Sequence, residues 1–478
     1  MPSKEQRPHP RRRHRRLVWI VAILAALVVI VVLLPRREGA MNQWMAHMRA
    51  KGEKFTFEEL ALSRTPQTNN IMDLIESAAS RFKSLERARA AQPARVGYPF
   101  IKKRETNIST KVVGWAETNL YGAKGWRLDW EVFGTEAEKL QDIVRDLRAA
   151  LENPPSDTGM DYSQPNSRLN FAAKREVAQS LFDLILYELH RGDLTNAHDN
   201  LRALMGMALL HSEDGTVVGQ MIRSAIMGLT VDAIWETLQA NRWSSDQLAA
   251  LQDELARFSI FNELATAFQV ERARCLRFFQ VFRQDPMGNA SLIGAPGFGL
   301  FDRIPSFLWQ RLWSEQDGLL YLQVMQGGID CLRELDRTRS FDKAAPVATS
   351  AYDRLERELR TPLPYRYWWS SLTIPNYKSA AERAVKNETR RQLAIAAIAI
   401  SRYQLRHARL PDTLSDLTPE FLPELPVDFY NGQPLRYRPA SDGSFILYSV
   451  GANFRDDGGD GTNDLVWPKP IWSANTSK

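Results

Sequence analysis

From Leu17 to Leu34 the chain reads LVWIVAILAALVVIVVLL, with no charged or strongly polar side chain in 18 positions. A helix of that length reaches roughly 27 Å, enough to cross a hydrocarbon core. RPHPRRRHRR precedes the run, and only Arg36 and Arg37 follow it closely. The positive-inside bias therefore predicts a cytoplasmic basic tail over 1–16, a transmembrane helix over 17–34, and everything beyond it on the far side of the membrane. A cleaved signal peptide is the competing reading. It fits less well, because the run exceeds an h-region of roughly 7–15 residues and only Glu38-Gly39-Ala40 offers a weak cleavage site.

Beyond the anchor the apolar spacing is mostly helical. MNQWMAHMRAKG closes on Gly52, and a second helix is expected from about Asn69. Between Arg95 and Gly134 the texture turns β-branched and aromatic, broken by Gly and Asn, which predicts a few strands or an ordered loop. We therefore divide off a small N-terminal module over 41–134. From 135 to 360 successive helices are expected. Val177, Leu181, Leu184 and Leu189 recur at helical spacing, His190-Arg191-Gly192-Asp193 turns the chain, and Ser244 with Gln247 spells a capping box. The helix pairs lack a sustained 34-residue period, so this is an irregular α-domain and not a tetratricopeptide array. A Gly/Pro-rich loop is expected over 285–307 and an aromatic, Pro-broken linker before a last long helix from about Ser379 to Arg406.

The charge changes the picture less than the pI of 9.2 suggests. Residues 1–37 hold nine Lys or Arg against Glu5 alone, leaving 53 basic and 55 acidic residues beyond them. The main body is thus slightly acidic. The basic excess is a topology signal and an attraction to anionic headgroups, and nucleic-acid binding by the body is excluded as a reading. About 440 residues after the anchor exceed what one core usually organises. Cys275 and Cys331 are the only cysteines, so no disulfide framework is possible, although one bridge or two buried thiols both remain open.

No H-E-x-x-H, G-x-x-x-x-G-K, G-x-S-x-G or zinc-spaced Cys pair is present. Gly294–Gly299 reads as loop. His190, His198 and His211 with Asp193, Asp199 or Asp214 could supply a metal site, but their spacings put no pair one turn apart. Glu271 and Glu315 are explained by buried ion pairs. Trp115, Tyr121, Trp126 and Trp130 could stack on sugar rings, or simply pack their module.

The C-terminus carries the specific signal. Leu435–Arg438 and Phe445–Val450 are expected to form a hairpin, followed by Asn453, Asp456, Asp457, Asp460, Asn463 and Asp464 interleaved with glycines. Six oxygen-bearing side chains in twelve residues, with glycines that let carbonyls turn inward, suit calcium. A long helix, a Leu-Pro-Asp turn, an Asn-Gly-Gln-Pro loop, a hairpin ending LYSVGAN and an Asp/Gly loop closing on Asn-Asp-Leu-Val-Trp together resemble the C-terminal domain of the major pseudopilin of type II secretion. The resemblance covers about 75 residues, from Leu393 to Trp467, and implies calcium held after the last strands. Asn453 and Asp464 occupy matching positions. The anchor has neither a prepilin peptidase site nor an early Glu, so assembly into a pilus is not expected. The remainder looks similar to large bacterial envelope proteins of the same layout.

The expectation is therefore a mainly α protein with a pseudopilin-like α+β module at 378–470. It would be a single-pass protein of the bacterial inner membrane, with its N-terminus cytoplasmic and its bulk periplasmic. It would contact the lipid bilayer and an envelope protein partner, and bind calcium through the six loop residues. No catalytic residue is assigned; the alternative is an envelope hydrolase acting on glycan or cell wall.

Overall fold

The computed structural model describes residues 19, 39–60, 70–90, 130–162, 169–238, 243–286, 288–289, 303–360, 364–374, 377–440 and 445–467. Apart from Trp19 the expected anchor lies outside them, as do Trp115, Tyr121, Trp126 and Gly294–Gly299. The described fold is mainly α-helical, with two small antiparallel sheets near the C-terminus.

In chain order the helices are α1 (Ala40–Ala50), α2 (Phe57–Leu60), α3 (Asn70–Ala90), α4 (Trp130–Glu138) and α5 (Gln141–Leu151). There follow α6 (Phe171–Arg191), α7 (Leu194–Leu209), α8 (Val217–Leu238), α9 (Ser245–Ala256) and α10 (Phe261–Gln284). The last are α11 (Arg303–Leu308), α12 (Ser314–Thr338), α13 (Phe341–Leu359), α14 (Trp368–Thr373) and α15 (Tyr377–His407). Helix α4 begins inside the stretch expected as strand or loop, so its last residues, 130–134, are helical instead. The sequence Trp130–Glu138 puts Phe133 and Ala137 one turn apart, both buried, and that packing overrides the β-branched texture before it.

The chain forms two compact units that interleave along the sequence. One comprises Met1–Thr56, Arg272–Gln326 and Ala351–Pro375. Its core is aromatic: Phe282 meets Trp309 at 5.3 Å, and Phe279 meets Trp369 at 5.3 Å. Asp317 is fully buried among these rings. It accepts hydrogen bonds from Trp309 Nε1 (2.7 Å) and from the amides of Trp369 (2.7 Å) and Ser370 (2.9 Å), capping α14. Glu315 accepts from the amides of Gly39 and Met41 at the start of α1 and pairs with Arg283 at 3.0 Å, the buried ion pair expected of it.

The other unit comprises Phe57–Glu271, Gly327–Ser350 and Asn376–Lys478. The expected helical hairpin is α6 and α7. Asn170 caps α6 by accepting from the amide of Ala173, Gly192 ends it at φ 78°, and Asp193 caps α7. The Ser244–Gln247 capping box starts α9. At Gly206 on α7, an added Cβ would stand 2.2 Å from the carbonyl oxygen of Leu151, so only glycine allows α5 this close. Helix α8 is long and apolar enough to cross a membrane, with mean hydropathy 1.3, but 67% of that window is buried inside the protein. Packing accounts for its composition.

Helix α15 buries the run Leu393–Ile400 and carries the C-terminal strands. Strands β1 (Val427–Asp428) and β2 (Gln433–Pro434) pair around a turn where Gly432 has φ 71°. Strands β3 (Arg436–Pro439), β4 (Phe445–Ser449) and β5 (Leu465–Trp467) form an antiparallel sheet in that order. The expected hairpin is β3 with β4. The buried Asp428 ties the two sheets together, accepting from Ser449 Oγ at 2.8 Å and from the amide of Val450 at 2.9 Å. Cys275 and Cys331 are buried free thiols, and burial pushes Cys331 up to about 12.

Candidate functional site

A cleft of about 950 Å³ opens between α8, α15 and the Asp/Gly loop. Its floor comes from α8, where Val217, Val218, Met221, Ile222 and Ala225 recur along one face that stays partly or wholly exposed; Val218 is 57% exposed. That face is unusual on a helix otherwise packed nearly all round. The opposite wall is cationic. Arg383, Lys386, Asn387 and Arg390 fall at i, i+3, i+4 and i+7 of α15, which sets them on one stripe, and Arg175 at the start of α6 joins them.

The stripe is held where the helices approach each other. Asn387 donates to the carbonyl and hydroxyl of Ser224 at 3.0 Å, and Arg390 pairs with Asp232. Gly228 lies under both, where an added Cβ would come 3.2 Å from Arg390 and from Asn387. Arg175, Arg383 and Lys386 are exposed, and no described residue pairs with them. The third wall is the loop and strand Gly461–Trp467. Of the cleft's carboxylates, Asp232 is paired with Arg390 and Asp464 keeps its charge while accepting from two amides, so Arg175, Arg383 and Lys386 outnumber the one carboxylate that no cation pairs with.

Asp464 is 5% exposed and accepts from the amides of Gly459 (2.6 Å) and Asp457 (3.4 Å), folding the loop back on itself. Asn453 donates to Asp457 Oδ2 at 2.7 Å. Asp456 accepts from Tyr448 Oη at 2.8 Å and from the amide of Gly458 at 3.0 Å; the Tyr448 hydrogen bond, with Arg436 beside it, keeps its carboxyl below the usual range. Asp460 accepts from the amide of Thr462 at 2.8 Å, and the amide of Asn463 lies 3.4 Å from it. Among the described residues no three His, Cys, Asp or Glu side chains gather to hold a metal ion. Asn453 and Asp457 meet through their side chains, while Asp464 meets Asp457 through the Asp457 amide.

No protein-family model, curated protein or solved structure matches the chain. The site therefore rests on its own geometry.

The histidines do not assemble the metal cluster weighed from the sequence. His190 is exposed at the α6 turn, His198 lies 3.7 Å from Asp199, and Asp193 is spent capping α7. His211 and Asp214 do share a network, but with partners the sequence reading missed. Lys174 Nζ lies 2.9 Å from His211 Nδ1, and Asp214 Oδ1 accepts from the amide and hydroxyl of Thr216 with Tyr162 Oη nearby. Burial lowers Lys174 to about 8 and His211 to about 3, and raises Asp214 and Tyr162. Lys174 and His211 are 2% and 0% exposed, so this network braces the turn 211–216 and presents no surface to substrate. The available signal was Lys174 itself, a charge on the face that also carries Ala173, Val177 and Ala178.

Proposed function

We propose that this chain is a membrane-tethered interaction protein of the bacterial envelope, anchored by Leu17–Leu34, whose extracytoplasmic body binds an anionic surface of another envelope protein. The observation that carries the reading is the cleft: an apolar floor on α8 under a rim of Arg175, Arg383 and Lys386. Apolar area supplies affinity and the uncommitted cations supply orientation, a combination found at the centres and rims of protein interfaces. The tether is supported by the 18-residue apolar run and its one-sided basic flank.

Calcium is proposed as the brace of the third wall. Asn453, Asp457 and Asp464 would hold it, with Asp456, Asp460 and Asn463 turning toward it as the loop tightens. The dication would supply charge neutralisation to a loop that places four aspartates within nine residues, Asp456 to Asp464. The resemblance of residues Leu393–Trp467 to the pseudopilin C-terminal domain supports the same assignment.

Two measurements on the purified full chain in mild detergent test the proposal. Excess calcium should raise the melting temperature, chelator should reverse it, and magnesium should do less; an unchanged melting temperature would overturn the metal assignment. Pull-down from envelope extract should retain a partner that Arg383→Glu with Lys386→Glu releases. Retention by both forms alike would remove the cleft from the interface.

A further inference from the structure

Strand β5 is the outer strand of its sheet: it pairs with β4 through Leu447↔Trp467, Tyr448↔Val466 and Ser449↔Leu465, and no described strand covers its other side. All three of its residues line the cleft, although successive side chains of a strand point to opposite faces. A cavity that touches every residue of the strand reaches its edge, where no described backbone group other than those of β4 pairs with Leu465–Trp467. An uncovered strand edge is a template for an added strand.

We infer that the cleft binds an extended acidic segment of a partner protein as an added strand on β5. The inference rests on the interaction reading above and names its partner class and binding mode. The segment's backbone would pair with the edge of Leu465–Trp467. Its side chains would alternate, apolar ones resting on Val218, Met221 and Ile222 of α8 and carboxylates reaching Arg383, Lys386 and Arg175. Charge complementarity selects the occupant. The chain's own residues 468–478 carry Lys469 and Lys478 and no acid, so they meet the cationic rim unfavourably. A lipid headgroup would satisfy the cations but leave the strand edge unused.

The test is fluorescence anisotropy with a labelled peptide of alternating glutamate and valine, titrated with the full-length chain in mild detergent. Saturable binding is expected, with none for a lysine–valine peptide. Arg383→Glu with Lys386→Glu should weaken binding about tenfold or more, and both residues are exposed, so the melting temperature should hold. The decisive probe is the same acidic peptide N-methylated at alternate residues, with charge and side chains unchanged and backbone donors removed. It should also bind at least about tenfold more weakly.

Equal binding of the methylated peptide overturns strand addition while leaving the cleft as an anion site. Unchanged binding by the glutamate variant overturns both. Binding that appears only after residues 468–478 are removed assigns the edge to the chain's own tail, and displacement of the peptide by phosphatidylglycerol vesicles assigns the cleft to lipid. A dimer that the peptide dissociates, seen by sedimentation, assigns it to a second copy. Each of these three also overturns the inference.

Discussion

Lys174 Nζ lies 2.9 Å from His211 Nδ1 in the interior of the larger unit, two bases in contact with almost no exposure to solvent. Burial holds His211 down to about 3 and Lys174 to about 8, so the imidazole stays neutral and accepts from the ammonium. The unfolded chain binds a proton at this histidine near pH 6.5, and the folded one does not. Stability is therefore lost as pH falls from about 6.5 toward 3, at a ceiling of about 1.4 kcal/mol per pH unit for one proton. His211 sits at φ 59°, which asparagine tolerates, so His211→Asn should fold and flatten this acid limb. Urea melts between pH 7 and 4.5 check it; an equally steep limb in the variant would show that His211 is not the responsible group.

Asp317 should give the opposite sign in the smaller unit. Burial raises its carboxyl to about 6, so its contribution is fully present below the unfolded value near 3.9 and is lost as pH rises through 6. Replacement separates titration from hydrogen bonding. Asp317→Ala leaves Trp309 Nε1 and the amides of Trp369 and Ser370 without an acceptor, at a cost of about 3 kcal/mol or more. Asp317→Asn keeps one acceptor oxygen and should cost less. Near-ultraviolet circular dichroism should lose its tryptophan signal in the alanine variant at a denaturant concentration where the native chain keeps it.

What was legible in the sequence was what local chemistry decides. Ser244 with Gln247 caps the helix it precedes, Gly192 turns the chain between α6 and α7, and Leu435–Arg438 with Phe445–Val450 pair as strands within a residue of the expected bounds. The class, mainly α with a small strand region at the C-terminus, follows from that patterning. Partnerships across long separations were not legible. Asp317 and Glu315 stand two residues apart in the same helix and look alike; one caps a helix 52 residues on, and the other reaches back 276 residues to Gly39. The cationic stripe at Arg383, Lys386 and Arg390 was readable as helical spacing, but nothing local said that the exposed apolar face of α8 would stand opposite it. Compact units that interleave along the chain are hidden for the same reason, since helix patterning marks a buried face without naming what covers it.

Gly206→Ala tests the closeness of α5 and α7. The added methyl would fall 2.2 Å from the carbonyl oxygen of Leu151, a backbone atom that cannot rotate away. Overpacking of this kind costs about 1–3 kcal/mol, although alanine is the better helix former by up to about 1 kcal/mol. A net loss of stability in urea melts is expected. A gain would mean that the helices separate easily and that propensity wins.

Asp428 connects the fold to the candidate site. Its carboxylate accepts from Tyr430 N, Ser449 Oγ and Val450 N, fixing the end of β4 where the chain enters the Asp/Gly loop. Burial raises its carboxyl, so the carboxylate is retained against a desolvation penalty by three donors. Asp428→Asn keeps the size but turns an amide N–H toward at least one of those donors, at about 1–3 kcal/mol. Because the loop's first turn starts at Gly451, loosening Val450 should also loosen Asn453 against Asp457, so the rise in melting temperature proposed for added calcium should be smaller in this variant. Asp428→Asn with the full calcium shift retained would show that the loop's arrangement is independent of the strand that leads into it.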